Sequence, residues 1–114
     1  MSKELEDRFA AYAKRVRDFC ERLKKNVINL EYTKQLIKSS SSVATNYIEA
    51  SDDLGRADEK MKIKVSRREV KEAKYFLSLM LTYDDKNLEN EKIFLIDESG
   101  QIQKILSAIL KKLP

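Results

Sequence analysis

Apolar residues recur at alternating steps of four and three residues along almost the whole chain. The first such row consists of Leu5, Phe9, Tyr12, Val16, Phe19 and Leu23. This spacing places all six on one face of an α-helix and is typical of helices that pack side by side. Two glycines and one proline in 114 residues are too few turn residues for a β-sandwich or barrel. The sequence therefore predicts an all-α protein.

Four helical segments follow from these rows. We expect helices over about residues 3–25, 33–51, 56–83 and 89–113. Asn26–Tyr32 is expected to be the first connection, with Asn29 or Thr33 as the N-cap of helix two. Asp52–Gly55 and Asp84–Asn87 are expected to separate the later helices, and Gly55 is a candidate cap of helix three. Residues 1–114 are thus predicted to form a single antiparallel up-down-up-down four-helix bundle.

The last helix contains one ambiguous stretch, Asp97–Gly100, which has the composition of a break. The apolar row nevertheless keeps its phase across it through Leu95, Ser99, Ile102 and Leu106. A loop would reset that phase, so one continuous helix is predicted. An interior glycine costs about 1 kcal/mol relative to alanine, so this helix should be least stable at Gly100.

Four consecutive serines, Ser39–Ser42, would ordinarily indicate a linker, because serine favours caps and turns. Here they lie inside the row Leu36, Ser40, Val43 and Tyr47, which steps by four, three and four. The segment is therefore interpreted as a helix. Its small side chains would let a neighbouring helix approach closely.

Composition excludes several function classes. Cys20 is the only cysteine and there is no histidine, which excludes an intrachain disulfide and a Cys/His zinc site. A di-iron centre of the Glu-x-x-His type is excluded as well. Neither a glycine-rich phosphate loop nor an acid-base pair of useful spacing is present. We expect no enzymatic activity, no cofactor and no metal, and we expect Cys20 to be a core residue.

Location is inferred from what the sequence lacks. The first residues, Met1–Glu4, do not resemble a signal peptide, and no apolar run approaches the length of a membrane span. The expectation is a cytoplasmic protein. Residues 101–113 have the alternation of a membrane-surface helix, but their apolar members are needed to close the bundle, so a core role is favoured.

Two stretches resemble one known family. Gln35–Ala50 reads QLIKSSSSVATNYIEA, and Lys62–Leu77 reads KIKVSRREVKEAKYFL. The first is similar to helix two of the bacterial four-helix bundle family, also called the 23S rRNA intervening-sequence or S23 family. The second stretch matches another pattern of this family, which consists of a basic residue followed by Glu, a further Glu three residues later, and an aromatic residue followed by Leu. These places are occupied by Arg68, Glu69, Glu72, Phe76 and Leu77. Glu59 and Lys60 depart from the apolar residues that the family often has there.

This resemblance implies a compact antiparallel bundle that assembles as a homopentamer and has no enzymatic activity. A relative, the accessory protein of diversity-generating retroelements, forms a basic pentameric barrel that binds nucleic acid and a reverse transcriptase. The partners implied are other copies of the chain, RNA or DNA, and a reverse transcriptase or another protein. A scaffold that binds only protein stays open as an alternative.

Helix three carries a basic stripe at helical spacing. Its members are Lys60, Lys64, Arg67, Lys71 and Lys74, which step by four, three, four and three. Closely spaced cations on a rigid helix suit a phosphate backbone and give affinity without sequence choice. The alternative is a solvated outer face that Glu69 and Glu72 partly neutralise.

Two further polar sets are assigned mainly structural roles. One set repeats every seven residues and consists of Arg8, Arg15 and Arg22. These arginines are expected to pair with acidic residues on a neighbouring helix or subunit. The alternative is a nucleic-acid surface shared with helix three. The second set is predicted to form a hydrogen-bond network between helices two and three, the alternative being a ligand site. Its members are Gln35, Asn46, Glu49, Arg68, Glu69 and Glu72.

Overall fold

Four α-helices make up most of the computed structural model, which describes residues 2–51 and 55–114. The helices are α1 (Lys3–Arg22), α2 (Val27–Ala50), α3 (Arg56–Leu79) and α4 (Lys86–Lys112). Neither described range contains a strand. The molecule measures 46 × 22 × 19 Å, and the 27 residues of α4 span most of the long dimension. The predicted all-α class is confirmed.

Each helix packs against two others in a square arrangement. α1 contacts α2 and α4, and α3 contacts the same two helices, whereas within the described residues α1 does not reach α3 across the diagonal. Short connections between neighbouring helices make them antiparallel. The most extensive contact joins α2 to α3. The predicted up-down-up-down bundle is therefore confirmed.

The predicted apolar rows form the core. Phe9 and Tyr47 meet edge to face with ring centroids 5.0 Å apart, and both are almost fully buried. Cys20 is buried in the same cluster, and burial raises the pKa of its thiol to about 11, partly offset by a hydrogen bond to Thr33. The expectation that Cys20 is a core residue is confirmed.

The serine run lies inside α2, as predicted. Ser39 Oγ donates to the carbonyl of Leu36 at 3.2 Å, and Ser42 Oγ donates to that of Lys38 at 2.8 Å. These bonds to the preceding turn satisfy the hydroxyl groups without leaving the helix. Across the seam, Ser66 Oγ of α3 donates to the carbonyl of Val43 at 2.7 Å. A side-chain bond to the neighbouring helix's backbone requires the close approach that the small residues were predicted to allow.

The prediction for the first connection was wrong. α2 begins at Val27, and Asn26, not Asn29 or Thr33, caps it by accepting a 2.9 Å hydrogen bond from the backbone N–H of Asn29. Val27 is exposed and Asn29 is buried, so the first turn reverses the usual polarity of an amphipathic helix. The apolar pattern therefore gave no helical signal in this turn.

The remaining boundaries agree more closely. α1 and α3 end three and four residues earlier than expected, at Arg22 and Leu79, and α4 begins at Lys86 with Asp85 as its N-cap. Gly55 caps α3 as predicted, with φ of 90°. α4 runs unbroken through Gly100, which confirms the prediction of one continuous helix. The expected stop at Asp52–Leu54 lies outside the described residues.

Candidate nucleic-acid interface

The basic stripe of α3 lies on the outer surface of the bundle. Ile63, Val70 and Leu77 of α3 are fully buried, which turns the stripe away from the core. Lys64, Lys71 and Lys74 are exposed, and Lys60 and Arg67 are half-buried. At 1.5 Å per residue, the stripe extends about 21 Å along the helix.

The stripe cations form no ion pairs in the part of the chain that the structure describes. Over residues 2–51 and 55–114, none of the five cations has an acidic side chain within ion-pair distance. Arg67 Nη1 instead donates to Ser107 Oγ of α4 at 3.3 Å. Lys74 Nζ lies 3.5 Å from the position that a Cβ on Gly100 would take. These two cations lean toward α4, so the stripe borders the α3–α4 side of the bundle.

Three stripe residues open onto a groove of about 620 Å³ along the outside of α3. We call it the α3 groove. It is lined by Gln35, Lys64, Arg67, Arg68, Lys71, Glu72, Tyr75 and Phe76. A neighbouring groove of about 380 Å³ is lined partly by Lys71 and Lys74, and a third of about 370 Å³ adds Lys104 from α4. Positive charge therefore continues from α3 onto α4.

Tyr75 contributes an aromatic surface among these cations. Its side chain is 60% exposed. On the inner side, its ring meets that of Phe76 at a centroid distance of 5.7 Å and an interplanar angle of 65°. Phe76 in turn lies 6.4 Å from the ring of Tyr32 on α2. The α3 groove thus combines cations with aromatic rings, and Tyr75 also lines the neighbouring groove beside Ile96 and Gln103 of α4.

The predicted polar network between α2 and α3 is not formed among the described residues. Of its six predicted members, only Glu49 bonds across the seam in the described residues, and its partner is Lys62 at 2.7 Å. Asn46 Nδ2 donates to the carbonyl of Ser42 in its own helix at 2.8 Å. Ser66 lies in the seam and bonds to the Val43 carbonyl, and the rings of Tyr32 and Phe76 meet across it. Gln35, Arg68 and Glu72 line the α3 groove instead.

Glu69 is the member of that set whose environment is most altered. It is half-buried, and no hydrogen bond to its carboxylate occurs in the described chain. Burial raises its pKa, and the neighbouring charge of Glu72 raises it further, against the opposing effect of Arg68 and Lys38. Glu69 therefore does not neutralise the stripe as an ion-pair partner.

The arginines of α1 pair with α4, as predicted for two of the three. Arg8 bonds to Glu98 at 2.7 Å, and Arg15 bonds to Glu91 at 2.8 Å while lying 3.6 Å from the centre of the Phe94 ring. Arg22 is exposed and makes no ion pair within the described residues. Since α1 lies diagonally opposite α3, these arginines do not extend the basic stripe.

Two residues that add a ring or a charge to this surface were not predicted as part of it: Tyr75 and Lys104. Arg68 and Tyr75 are seven residues apart, so their exposed position on one face of α3 was readable from helical spacing. Lys104 joins only through the packing of α4 against α3, which no local pattern records.

Other kinds of site find little support in the described part of the chain. It contains no group of three or more metal-binding side chains of the His, Cys, Asp or Glu type. None of the helices over residues 2–51 and 55–114 has an apolar stretch that could cross a bilayer. The α3 groove is therefore the site on which a functional interpretation rests.

Comparison with solved structures places this architecture among known folds. A protein of unknown function from the S23 ribosomal protein family of Bacteroides thetaiotaomicron VPI-5482 superposes with a TM-score of 0.78. The chain has the S23-family fold. The two proteins are 25% identical in sequence, and the match covers 94% of this chain and 98% of the other. No model of a known protein family matches the sequence, and no curated protein matches it.

Proposed function

We propose that this protein is a non-enzymatic nucleic-acid-binding bundle that holds a phosphate backbone along α3. The observation that carries the proposal is the row of five stripe cations without acidic partners in the described chain. On a helix, side chains three and four residues apart have Cβ atoms about 5–6 Å apart. Such a row places a cation near each successive phosphate and releases the counterions that the nucleic acid had condensed.

The contrast with other cations supports this assignment. Arg8, Arg15 and Lys62 are engaged with carboxylates on neighbouring helices, where they hold the bundle together. Lys64, Lys71 and Lys74 make no comparable ion pair in the described residues and stay exposed beside grooves. Their charges are available to an external anion.

Self-association is part of the proposal. α2 presents a row of partly exposed apolar side chains, Leu30, Ile37 and Ile48. Ile37 borders a shallow groove shared with Ala13 of α1, so the row lies on the α1–α2 side of the bundle. This side is opposite the stripe. Copies that meet through it, in the pentamer expected from the family resemblance, would carry their stripes outward.

The same apolar row favours a second candidate function, a scaffold that binds only other proteins. The two candidates differ in one observable, the affinity for nucleic acid. Sedimentation velocity reports the oligomer in either case. A stable oligomer without measurable nucleic-acid affinity at low salt would support the scaffold and overturn nucleic-acid binding.

The test is fluorescence anisotropy with labelled single-stranded and duplex oligonucleotides at 50 mM salt. The double variant Lys64→Glu with Arg67→Glu should lose at least tenfold in affinity, because attraction becomes repulsion along the groove. Arg22→Glu with Lys25→Glu is the matched control, since it makes the same charge change at exposed positions at and just after the end of α1, which lies diagonally opposite α3. Equal losses in both variants would reduce the effect to net charge and contradict the proposal.

A further inference from the structure

We propose that the α3 groove binds single-stranded nucleic acid, with an unpaired base stacked on Tyr75. This inference rests on the proposed function and specifies its ligand. The groove's volume of about 620 Å³ lies within the range of small-ligand sites, which is about 300–1,000 Å³. A site of this size fits a nucleotide, whereas a phosphate backbone alone needs only a charged surface.

The phosphate and the base of a bound nucleotide would contact different side chains of the α3 groove. Arg67 reaches toward Ser107 of α4, and Lys71 opens onto both the α3 groove and its neighbour on the α4 side. Gln35 of α2, Arg68 and Glu72 also line the α3 groove. Phosphate is attracted by the cations and repelled by the Glu72 carboxylate. A base next to a phosphate held by Lys71 lies within reach of the Tyr75 ring, because the two residues are four apart on α3 and line the same two grooves.

Tyr75 has the properties of a stacking platform. Its ring is mostly exposed, and Phe76 supports it from the inner side. An aromatic ring stacks on the face of any base, which provides affinity with little choice of sequence. Base faces are free only in unpaired strands, because in a duplex they stack on one another. A duplex would contact the cations and leave this ring unused.

Gln35 and Glu72 add hydrogen-bonding groups at the edge of the stacked base. The amide donates and accepts, and the carboxylate accepts from amino groups. Neither side chain has a hydrogen-bond partner among the described residues. The groove thus contains a phosphate-binding side, a stacking surface and base-edge partners.

The experiment compares three ligands with equal numbers of phosphates per strand: a ten-residue oligothymidylate, an abasic backbone of the same length, and a duplex containing the oligothymidylate. The wild type should bind the oligothymidylate about tenfold more tightly than the abasic strand, as expected for one stacked base. Tyr75→Ala should remove that difference and leave duplex binding unchanged. Tyr75→Phe keeps the ring and should retain the difference.

Tyr83→Ala is the matched control, since Tyr83 is a second exposed tyrosine at the end of the bundle. It should behave as the wild type. The wild type could bind the abasic strand and the oligothymidylate equally, with no effect of Tyr75→Ala and a loss on Lys64→Glu with Arg67→Glu. That result would overturn base stacking and leave phosphate binding standing. Failure of the wild type to bind any of the three ligands would overturn both.

Discussion

The side-chain amide of Asn29 makes two hydrogen bonds with the backbone of Leu81. Asn29 Nδ2 donates to the Leu81 carbonyl at 3.0 Å, and Asn29 Oδ1 accepts from the Leu81 N–H at 3.1 Å. Nδ2 also donates to the Lys24 carbonyl at 3.0 Å. One buried side chain therefore joins the α1–α2 connection to the α3–α4 connection at the same end of the bundle.

Asn29→Ala should lower the free energy of unfolding by about 2 kcal/mol, because it leaves backbone groups of both connections without partners. Urea unfolding measures the change. Asn90→Ala is the control, since Asn90 is exposed on α4 and should change stability by no more than about 0.5 kcal/mol. Equal effects of the two substitutions would show that the Asn29 bonds contribute nothing specific.

A second prediction concerns the buried pair Tyr12 and Ser99. The two hydroxyl oxygens lie 2.6 Å apart, and Ser99 Oγ donates to the Leu95 carbonyl at 2.7 Å, so Tyr12 donates to Ser99. Burial raises the pKa of Tyr12 from 10.0 to about 12, so the hydroxyl keeps its proton even at pH values near the ordinary pKa of tyrosine. Tyr12→Phe should cost about 1 kcal/mol, and Ser99→Ala about 2 kcal/mol because it strands a buried donor.

The double variant of this pair should cost less than the two single losses together. A thermodynamic cycle from urea unfolding measures the difference, which should be about 1 kcal/mol. Strict additivity would mean that the two hydroxyl groups do not interact.

Gly100→Ala should stabilise the protein by about 0.5–1 kcal/mol, because glycine is a poor residue for a helix interior. The added methyl group would meet only the end of the Lys74 side chain, at 3.5 Å, which is an ordinary contact. The melting temperature measures the effect. A fall in melting temperature would show that the α3–α4 packing at this point needs glycine.

A fourth prediction concerns the dependence of stability on pH. Because the pKa of Glu69 is raised by burial and by Glu72, the folded state holds this proton more tightly than the unfolded chain does. Stability is therefore lost as pH rises from the ordinary value of 4.5 through the raised folded value. Glu69→Gln should be more stable than the wild type at pH 7, with the advantage shrinking as pH falls through the raised folded value and gone below about 4.5.

Thermal melts at several pH values measure this advantage. Glu21→Gln, at an exposed position on α1, corrects for the loss of one negative charge in a basic protein. A Glu69→Gln advantage that is the same at low and neutral pH would exclude the proposed coupling between ionisation and folding.

The sequence predicted what depends on repeated spacing along one helix. The serine run was identified as helical because Ser40 keeps the phase of Leu36 and Val43, and α4 was identified as continuous because the same rule holds across Gly100. The register of the stripe on α3 follows from the same geometry. In each case the 3.6-residue period determines which side chains share a face.

Features that depend on contacts between distant segments were not predictable in this way. The sequence predicts a cap at Asn29 because a polar residue near a helix start usually has that role, whereas the partner of Asn29 in the structure, Leu81, is 52 residues away. The polar network failed for a related reason. Helical spacing placed its members near the seam but could not show that Gln35 and Arg68 line the α3 groove instead of bonding across the seam.

The dependence of nucleic-acid affinity on salt tests the central claim most directly. For a single-stranded ligand, each phosphate contact contributes about 0.7 to the slope of log Kobs against log salt concentration. The variant Lys64→Gln, Arg67→Gln, Lys71→Gln should therefore bind oligothymidylate more weakly, with a slope about 2 smaller in magnitude than that of the wild type. Unchanged slope and affinity in this variant, with a wild type that does bind, would contradict a phosphate-binding role for α3.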